Sequence, residues 1–130
     1  DCHIDAPMLK PALDTMNLDS VDLLFLENVG NLVCPAEFDT GATCSIMLLS
    51  VPEGDDKVLK YPLMFTVCDL LLVTKTDCQA MFDFDLKKLT TRVHQLNPDM
   101  KIIPVSSKTG ENMEAWISWL KERREAFIKN

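Results

Sequence analysis

Short unbroken apolar runs alternate along this chain with stretches in which apolar residues return every third or fourth position. Residues 21–26 (Val-Asp-Leu-Leu-Phe-Leu), 45–51 (Ser-Ile-Met-Leu-Leu-Ser-Val), 69–73 (Asp-Leu-Leu-Leu-Val) and 101–105 (Lys-Ile-Ile-Pro-Val) have strand length. Nearly continuous hydrophobicity over such lengths predicts strands buried on both faces. Helical spacing takes over between them. Asp5 is placed to cap a helix running to about residue 17, with Met8, Leu9, Ala12, Leu13 and Met16 at helical intervals. Pro7 suits its first turn, Pro11 strains or ends it, and Met8 and Met16 read as core. Residues 58–67 predict a short helix despite Pro62. Residues 83–96 carry Leu86, Leu89, Val93 and Leu96 on one face, and Asn97-Pro98 stops them. Residues 111–128 predict a closing helix that buries Met113, Trp116, Ile117, Leu120 and Phe127. Strands alternating with helices imply an α/β fold with right-handed crossovers and a parallel sheet. With no internal repeat or low-complexity segment, residues 1–130 read as a single domain.

Composition narrows the class. The 130 residues, 47% hydrophobic and 25% charged, suffice for one core. A net charge of −7 argues against general nucleic-acid or anionic-membrane binding, and no apolar run is long enough to span a bilayer. The chain opens Asp-Cys-His rather than with a basic region and an apolar stretch, so no signal peptide is expected. Five cysteines, at 2, 34, 44, 68 and 78, are an odd number at low density. Free thiols in a reducing cytoplasm fit best.

The candidate chemistry falls at predicted strand ends, where ligands of open α/β sheets bind. Glu27 ends the first run, and Gly30 follows closely. An acid there can hold Mg²⁺, directly or through water, and a glycine lets a backbone N–H approach a terminal phosphate. Cys34 lies in the same loop. Thr74-Lys75-Thr76-Asp77 follows the third run and Ser106-Ser107-Lys108-Thr109-Gly110 the fourth. The Asp77 carboxylate can accept from both N1–H and N2–H of guanine, which adenine does not offer, while the stem of Lys75 lies across the base plane. Backbone amides of Ser106, Ser107 and Lys108 can meet the base carbonyl. A polar turn is the plain reading of either loop alone; their pairing after successive strands favours guanine. Cys2, His3 and Cys34 offer two thiolates and an imidazole, a set suited to Ni²⁺ or Zn²⁺. Three ligands leave a site incomplete, and two chains meeting at a symmetry axis complete it. On spacing alone, three unconnected loop residues remain the stronger reading. Cys44, Cys68 and Cys78 show no partner pattern, and Cys68 reads as a small buried hydrophobe. His94 reads as solvated or capping, and Trp116 and Trp119 as packing residues. No Gly-x-x-x-x-Gly-Lys-Ser/Thr occurs anywhere, and there are only four glycines.

Several of these stretches together resemble a known family. They are Cys2-His3-Ile4-Asp5-Ala6, Glu27-Asn-Val-Gly-Asn-Leu-Val-Cys-Pro-Ala-Glu-Phe-Asp39, Glu53-Gly-Asp-Asp-Lys-Val-Leu-Lys-Tyr-Pro62, and the Thr-Lys-x-Asp and Ser-Ser-Lys loops. They are similar to the hydrogenase nickel-incorporation GTPases, the HypB family, over essentially the whole chain. The resemblance implies a parallel-sheet, P-loop GTPase-like fold of the SIMIBI class, here lacking the N-terminal P-loop strand and matching the C-terminal part of the GTPase domain. It implies GTP and GDP as nucleotides, Mg²⁺, and Ni²⁺ or Zn²⁺ as the metal. It also implies a cytoplasmic homodimer that serves hydrogenase maturation proteins and the hydrogenase large subunit. By resemblance, Cys2, His3 and Cys34 fall on metal-binding positions at the dimer interface. Glu27 and Gly30 fall on the Mg²⁺ and γ-phosphate elements, and Lys75 and Asp77 on the guanine loop. The resemblance reverses the reading of the Cys/His set in favour of metal. Thr74 departs from the family's usual Asn, and Pro7 and Lys10-Pro11 stand where many relatives carry further histidines. Without a P-loop lysine the 130 residues alone are expected to lack GTPase activity, which leaves open a metal-binding or docking module as the alternative.

Overall fold

A computed structural model describes residues 3–28 and 30–129, and for Cys34 the backbone only. The chain divides into two compact units, Asp1–Thr43 and Cys44–Asn130.

In the second unit, β1 (Ile46–Ser50), β2 (Leu70–Thr74) and β3 (Lys101–Pro104) form a parallel sheet in the order β1-β2-β3. Leu48 pairs with Leu72, and Leu72 with Ile103. These are the last three predicted strands, and the central one is the most apolar, as a strand covered on both faces must be. Side chains alternate across the sheet. On one face Leu70, Leu72, Ile103 and Val105 form a cluster covered by Met113, Ala115, Trp116 and Trp119 of α5 (Met113–Lys129). Met47, Leu49, Leu71 and Val73 point to the other face and are buried there. Val58, Phe65, Leu89 and Val93 are the buried residues of α2 (Lys57–Lys60), α3 (Pro62–Val67) and α4 (Leu86–Leu96).

Local chemistry explains the boundaries. The predicted helix 58–67 is two helices, because Pro62 has no N–H to donate and forces the preceding residue out of the helical region. Tyr61 takes φ −133° and ψ 62°, and Pro62 opens α3 at its first position. Helix α4 starts at an Asp85 cap whose carboxylate accepts from the Lys88 N–H at 3.0 Å. The segment between β1 and α2 is latched down: the Asp55 carboxylate accepts from the Asp85 N–H at 2.6 Å and faces Arg92 at 3.7 Å. Asn97 ends α4 and donates to the carbonyls of Phe65 and Cys68. Cys68 is buried, as read, and burial, then the neighbouring Asp69 charge, pushes its thiol up to about 11. His94 is exposed, with one ring nitrogen 3.0 Å from the Met100 carbonyl.

Helix α5 differs from expectation. Met113, Trp116 and Leu120 are partly covered, but Ile117 and Phe127 are exposed and Trp119 takes part in the packing instead. A 17-residue helix is about 26 Å long, whereas a five-residue strand covers about 17 Å, so the far end of α5 overhangs the sheet.

The first unit contains α1 (Ala6–Leu13), shorter than predicted, with Asp5 as its cap. Pro11 lies inside it and the helix stops two residues later. Met8 and Met16 are exposed, which corrects their reading as core. Residues 21–26 also depart from expectation: they form no strand, and Leu23, Leu24 and Phe25 are exposed. A strand exists through the ladder it makes with a neighbour, and among the described residues of this unit there is no strand to pair with. Short turns at Leu18–Ser20 and Cys34–Glu37 complete the unit.

Candidate functional site

The carboxyl ends of β2 and β3 lead into two loops that the sheet places side by side, since these strands are parallel neighbours. After β2 the chain turns sharply at Lys75, whose φ of 59° and ψ of 41° lie in the left-handed region that non-glycine residues avoid. Such strain is concentrated at ligand-binding turns. The turn starts a 3₁₀ segment, Thr76–Met81, that carries Asp77. After β3, Ser106 is fully buried and is the anchor of its loop. Its Oγ donates to Asp77 Oδ1 at 2.8 Å and accepts the Thr109 N–H at 3.2 Å. Its carbonyl accepts the Gly110 N–H at 2.8 Å, and its N–H donates to the Glu111 carbonyl at 3.0 Å. Gly110 has φ 83°, which a residue with a Cβ would adopt only under strain.

The electrostatics follow. The Ser106 hydroxyl, first, and the nearby Lys108 charge hold the Asp77 carboxyl below its ordinary value of 3.8 despite some desolvation. The other oxygen, Oδ2, faces the Cys78 thiol at 3.7 Å. Asp77 is therefore an exposed, ionised acceptor held by one buried hydroxyl. Lys75, Ser107 and Lys108 are exposed around it. Reading from sequence missed Thr76, Thr109, Glu111 and Asn112. Thr76 N–H donates to the Val105 carbonyl at 3.3 Å, and its hydroxyl lies 3.4 Å from Glu111 Oε2. Asn112, at φ 59°, donates to the Pro104 carbonyl at 2.9 Å and so fixes the end of β3. A Gly-Glu-Asn tripeptide after Ser-Ser-Lys-Thr is a recognisable turn signal, but which groups it holds is a matter of three-dimensional placement.

In the first unit the two ends of its sequence are drawn together. The His3 ring stacks on Phe38 with centroids 3.6 Å apart and planes 7° from parallel. The Ile4 N–H donates to Asn28 Oδ1 at 2.9 Å, and the Ala6 N–H to the Asp39 carbonyl at 3.2 Å. Residues 3–6 thus lie against the stretch 28–39, which follows Glu27 and contains Gly30 and the Cys34 backbone. Asp5 Oδ2 stands 3.6 Å from His3 Nε2. Glu27 is exposed, and Gly30 has open space where a Cβ would be. Cys2 lies outside the described residues, as does the Cys34 side chain, and among the described residues no three His, Cys, Asp or Glu side chains are grouped to hold a metal.

Comparison with known proteins bears on the family and the fold. The family described as CobW/HypB/UreG, nucleotide-binding domain, matches residues 2–104. The hydrogenase maturation factor HypB of Azotobacter chroococcum mcd 1 is 45% identical over 128 residues, 98% of this chain and 42% of that protein. The crystal structure of HypB from Helicobacter pylori in complex with nickel superposes with a TM-score of 0.92 at 40% identity, covering 97% of this chain and 60% of the other. HypB from Archaeoglobus fulgidus gives a TM-score of 0.88 at 39% identity, over 95% of this chain and 60% of the other. The chain thus spans less than half the length of the Azotobacter relative. These structural neighbours carry the P-loop GTPase-like α/β fold with a parallel sheet. The chain belongs to the CobW/HypB/UreG nucleotide-binding family, among the HypB hydrogenase maturation factors.

Proposed function

We propose that this chain is part of a GTP-dependent nickel chaperone for [NiFe]-hydrogenase maturation, in which the β2 and β3 loops read guanine and the Cys/His segment carries the metal cargo. The observation that carries this reading is the Asp77–Ser106 pair. A carboxylate kept ionised and aimed by a buried hydroxyl, beside a strained lysine turn, has the acceptor set for N1–H and N2–H of guanine. In this reading Lys75 lays its stem over the base, and the backbone amides of Ser107 and Lys108 meet the base carbonyl, whereas the Ser106 N–H, expected to join them, is already given to the Glu111 carbonyl and Ser106 acts through its hydroxyl. Glu27 faces solvent at the start of its loop, as a Mg²⁺-binding acid requires, and the open space at Gly30 suits close approach of a phosphate. Mg²⁺, when bound, would neutralise charge on the transferring phosphoryl group.

For the cargo, Cys2, His3 and Cys34 are the proposed ligands of Ni²⁺ or Zn²⁺. Support comes from the stacking of His3 on Phe38, which ties His3 to the stretch that carries Cys34, and from Asp5 beside the imidazole. A carboxylate next to a ligating histidine orients the ring and raises its basicity. Three ligands per chain make a homodimer the natural unit. Partners would be other hydrogenase maturation proteins and the hydrogenase large subunit, in the cytoplasm. No helix among the described residues is long and apolar enough to cross a membrane.

The guanine reading is tested by Asp77→Asn in the full-length gene product. The amide presents an N–H where the carboxylate presented a lone pair, so GTP binding should fall and xanthosine triphosphate binding should rise. Unchanged selectivity between the two nucleotides would remove Asp77 from the role.

A further inference from the structure

We propose that Glu111 and Thr76 are positioning residues for the Asp77 carboxylate, closing a hydrogen-bonded ring that makes the site distinguish guanine from hypoxanthine; this rests on the guanine reading above. The ring can be followed bond by bond. Ser106 Oγ donates to Asp77 Oδ1 at 2.8 Å, and the Thr109 N–H donates to that same Oγ at 3.2 Å. The Glu111 N–H donates to Thr109 Oγ1 at 3.2 Å. Thr76 Oγ1 donates to Glu111 Oε2 at 3.4 Å, and the peptide bond from Thr76 to Asp77 returns to the start. A cross-brace from the Ser106 N–H to the Glu111 carbonyl, 3.0 Å, ties the middle of the ring to buried Ser106.

One bond from Ser106 sets where an Asp77 oxygen sits but not how the carboxylate plane is turned. The plane can swivel about that bond, because Asp77 is exposed and its backbone belongs to a short 3₁₀ segment. The Thr76 N–H already ties the backbone to the Val105 carbonyl at 3.3 Å, and the Glu111 contact adds a hold on the side chain, so the peptide from which Asp77 grows is restrained at both points as well as at its carboxylate. Guanine demands this: N1–H and N2–H are two donors in one plane, and a twisted carboxylate loses the second contact first. Oδ2 faces the Cys78 thiol at 3.7 Å, a weak donor that a base N–H can displace. The Thr76–Glu111 joint is the longest in the ring, beyond the usual range of an O–H···O bond. Bonds at ligand-free sites commonly tighten when the ligand arrives. This joint is the one that base binding would shorten.

The test uses GDP and IDP, which differ only in the N2 amino group, with affinities measured by calorimetry on the full-length gene product. Glu111→Ala and Thr76→Val should each weaken GDP roughly threefold to tenfold, the worth of one hydrogen bond, and IDP less. The GDP-to-IDP ratio should therefore fall. The double variant should be no worse than the poorer single one, because both break the same joint. Glu111→Gln and Thr76→Ser, which keep an acceptor and a hydroxyl, should restore the ratio. Thr76→Val is nearly isosteric, so it stands in if Glu111→Ala folds poorly. An unchanged ratio in Glu111→Ala and Thr76→Val, with a collapsed ratio in Asp77→Asn, overturns the ring while leaving the guanine reading. An unchanged ratio in Asp77→Asn overturns both.

Discussion

At the scale of single residues, Ser106 decides how Asp77 behaves. It is fully buried, yet its one side-chain donor is spent on an exposed carboxylate. Because the folded-state pKa of Asp77 lies below 3.8, the pair's contribution to stability is present above that value. It is lost as pH falls through the depressed one. Base preference carried by Asp77 should therefore be flat from about pH 5 to 8, well above the titration of any ordinary aspartate. Ser106→Ala should raise the Asp77 pKa toward 3.8, read by NMR titration of the carboxyl carbon, and should narrow the gap between GDP and IDP. A pKa that stays depressed in Ser106→Ala would assign the effect to the Lys108 charge instead. The Thr-Lys-x-Asp and Ser-Ser-Lys signals were visible in the chain because they are contiguous. Thr76, Thr109 and Glu111 were not, because a hydrogen bond spanning 35 residues leaves no spacing rule to find.

At the scale of elements, β2 carries the sheet. Leu70, Leu71, Leu72 and Val73 are all buried, and their alternation feeds both faces. Leu72 meets the α5 side, where Trp116 and Trp119 stack 6.1 Å apart against the cluster. Leu72→Ala should cost about 2–5 kcal/mol, the range for a leucine cavity that neighbours cannot close. Denaturant melts would check it; a loss well under 1 kcal/mol would mean that the indoles collapse into the space. The same arithmetic explains why α5 escaped a correct reading. Its apolar stripe is real, but periodicity says which residues share a face, not how far the facing sheet extends. Pro62 was read through as part of one helix, whereas its missing N–H and its constraint on Tyr61 divide that helix into two.

At the scale of the whole molecule, the cores are unequal. Every fully buried hydrophobic residue lies at or beyond Met47, and none lies in Asp1–Thr43 among the described residues. Residues 44–130 should fold alone, with a cooperative melt by circular dichroism, whereas residues 1–43 alone should show none. A non-cooperative melt of 44–130 would show that its sheet needs the first segment. Under the proposed function, the first segment acts through metal rather than through a core. Cys34→Ala should abolish tight Ni²⁺ or Zn²⁺ binding by calorimetry, whereas Cys78→Ala should leave it intact, with one ion bound per two chains. Equal losses in both variants would sink the Cys2, His3 and Cys34 assignment.

What the sequence by itself determined was local: three strands from unbroken apolar runs, the cap at Asp5, and two loop motifs whose residues are neighbours in the chain. Each of these depends on interactions within a few residues, so their physics is written in consecutive letters. Tertiary structure alone decided the rest. Residues 21–26 had the composition of a strand, but a strand needs an adjacent backbone to donate to it, and composition does not supply one. Met8 and Met16 had core spacing, but burial requires an opposing apolar surface. Asp77 and Ser106 stand 29 residues apart in sequence and 2.8 Å apart in space because two parallel strands end side by side.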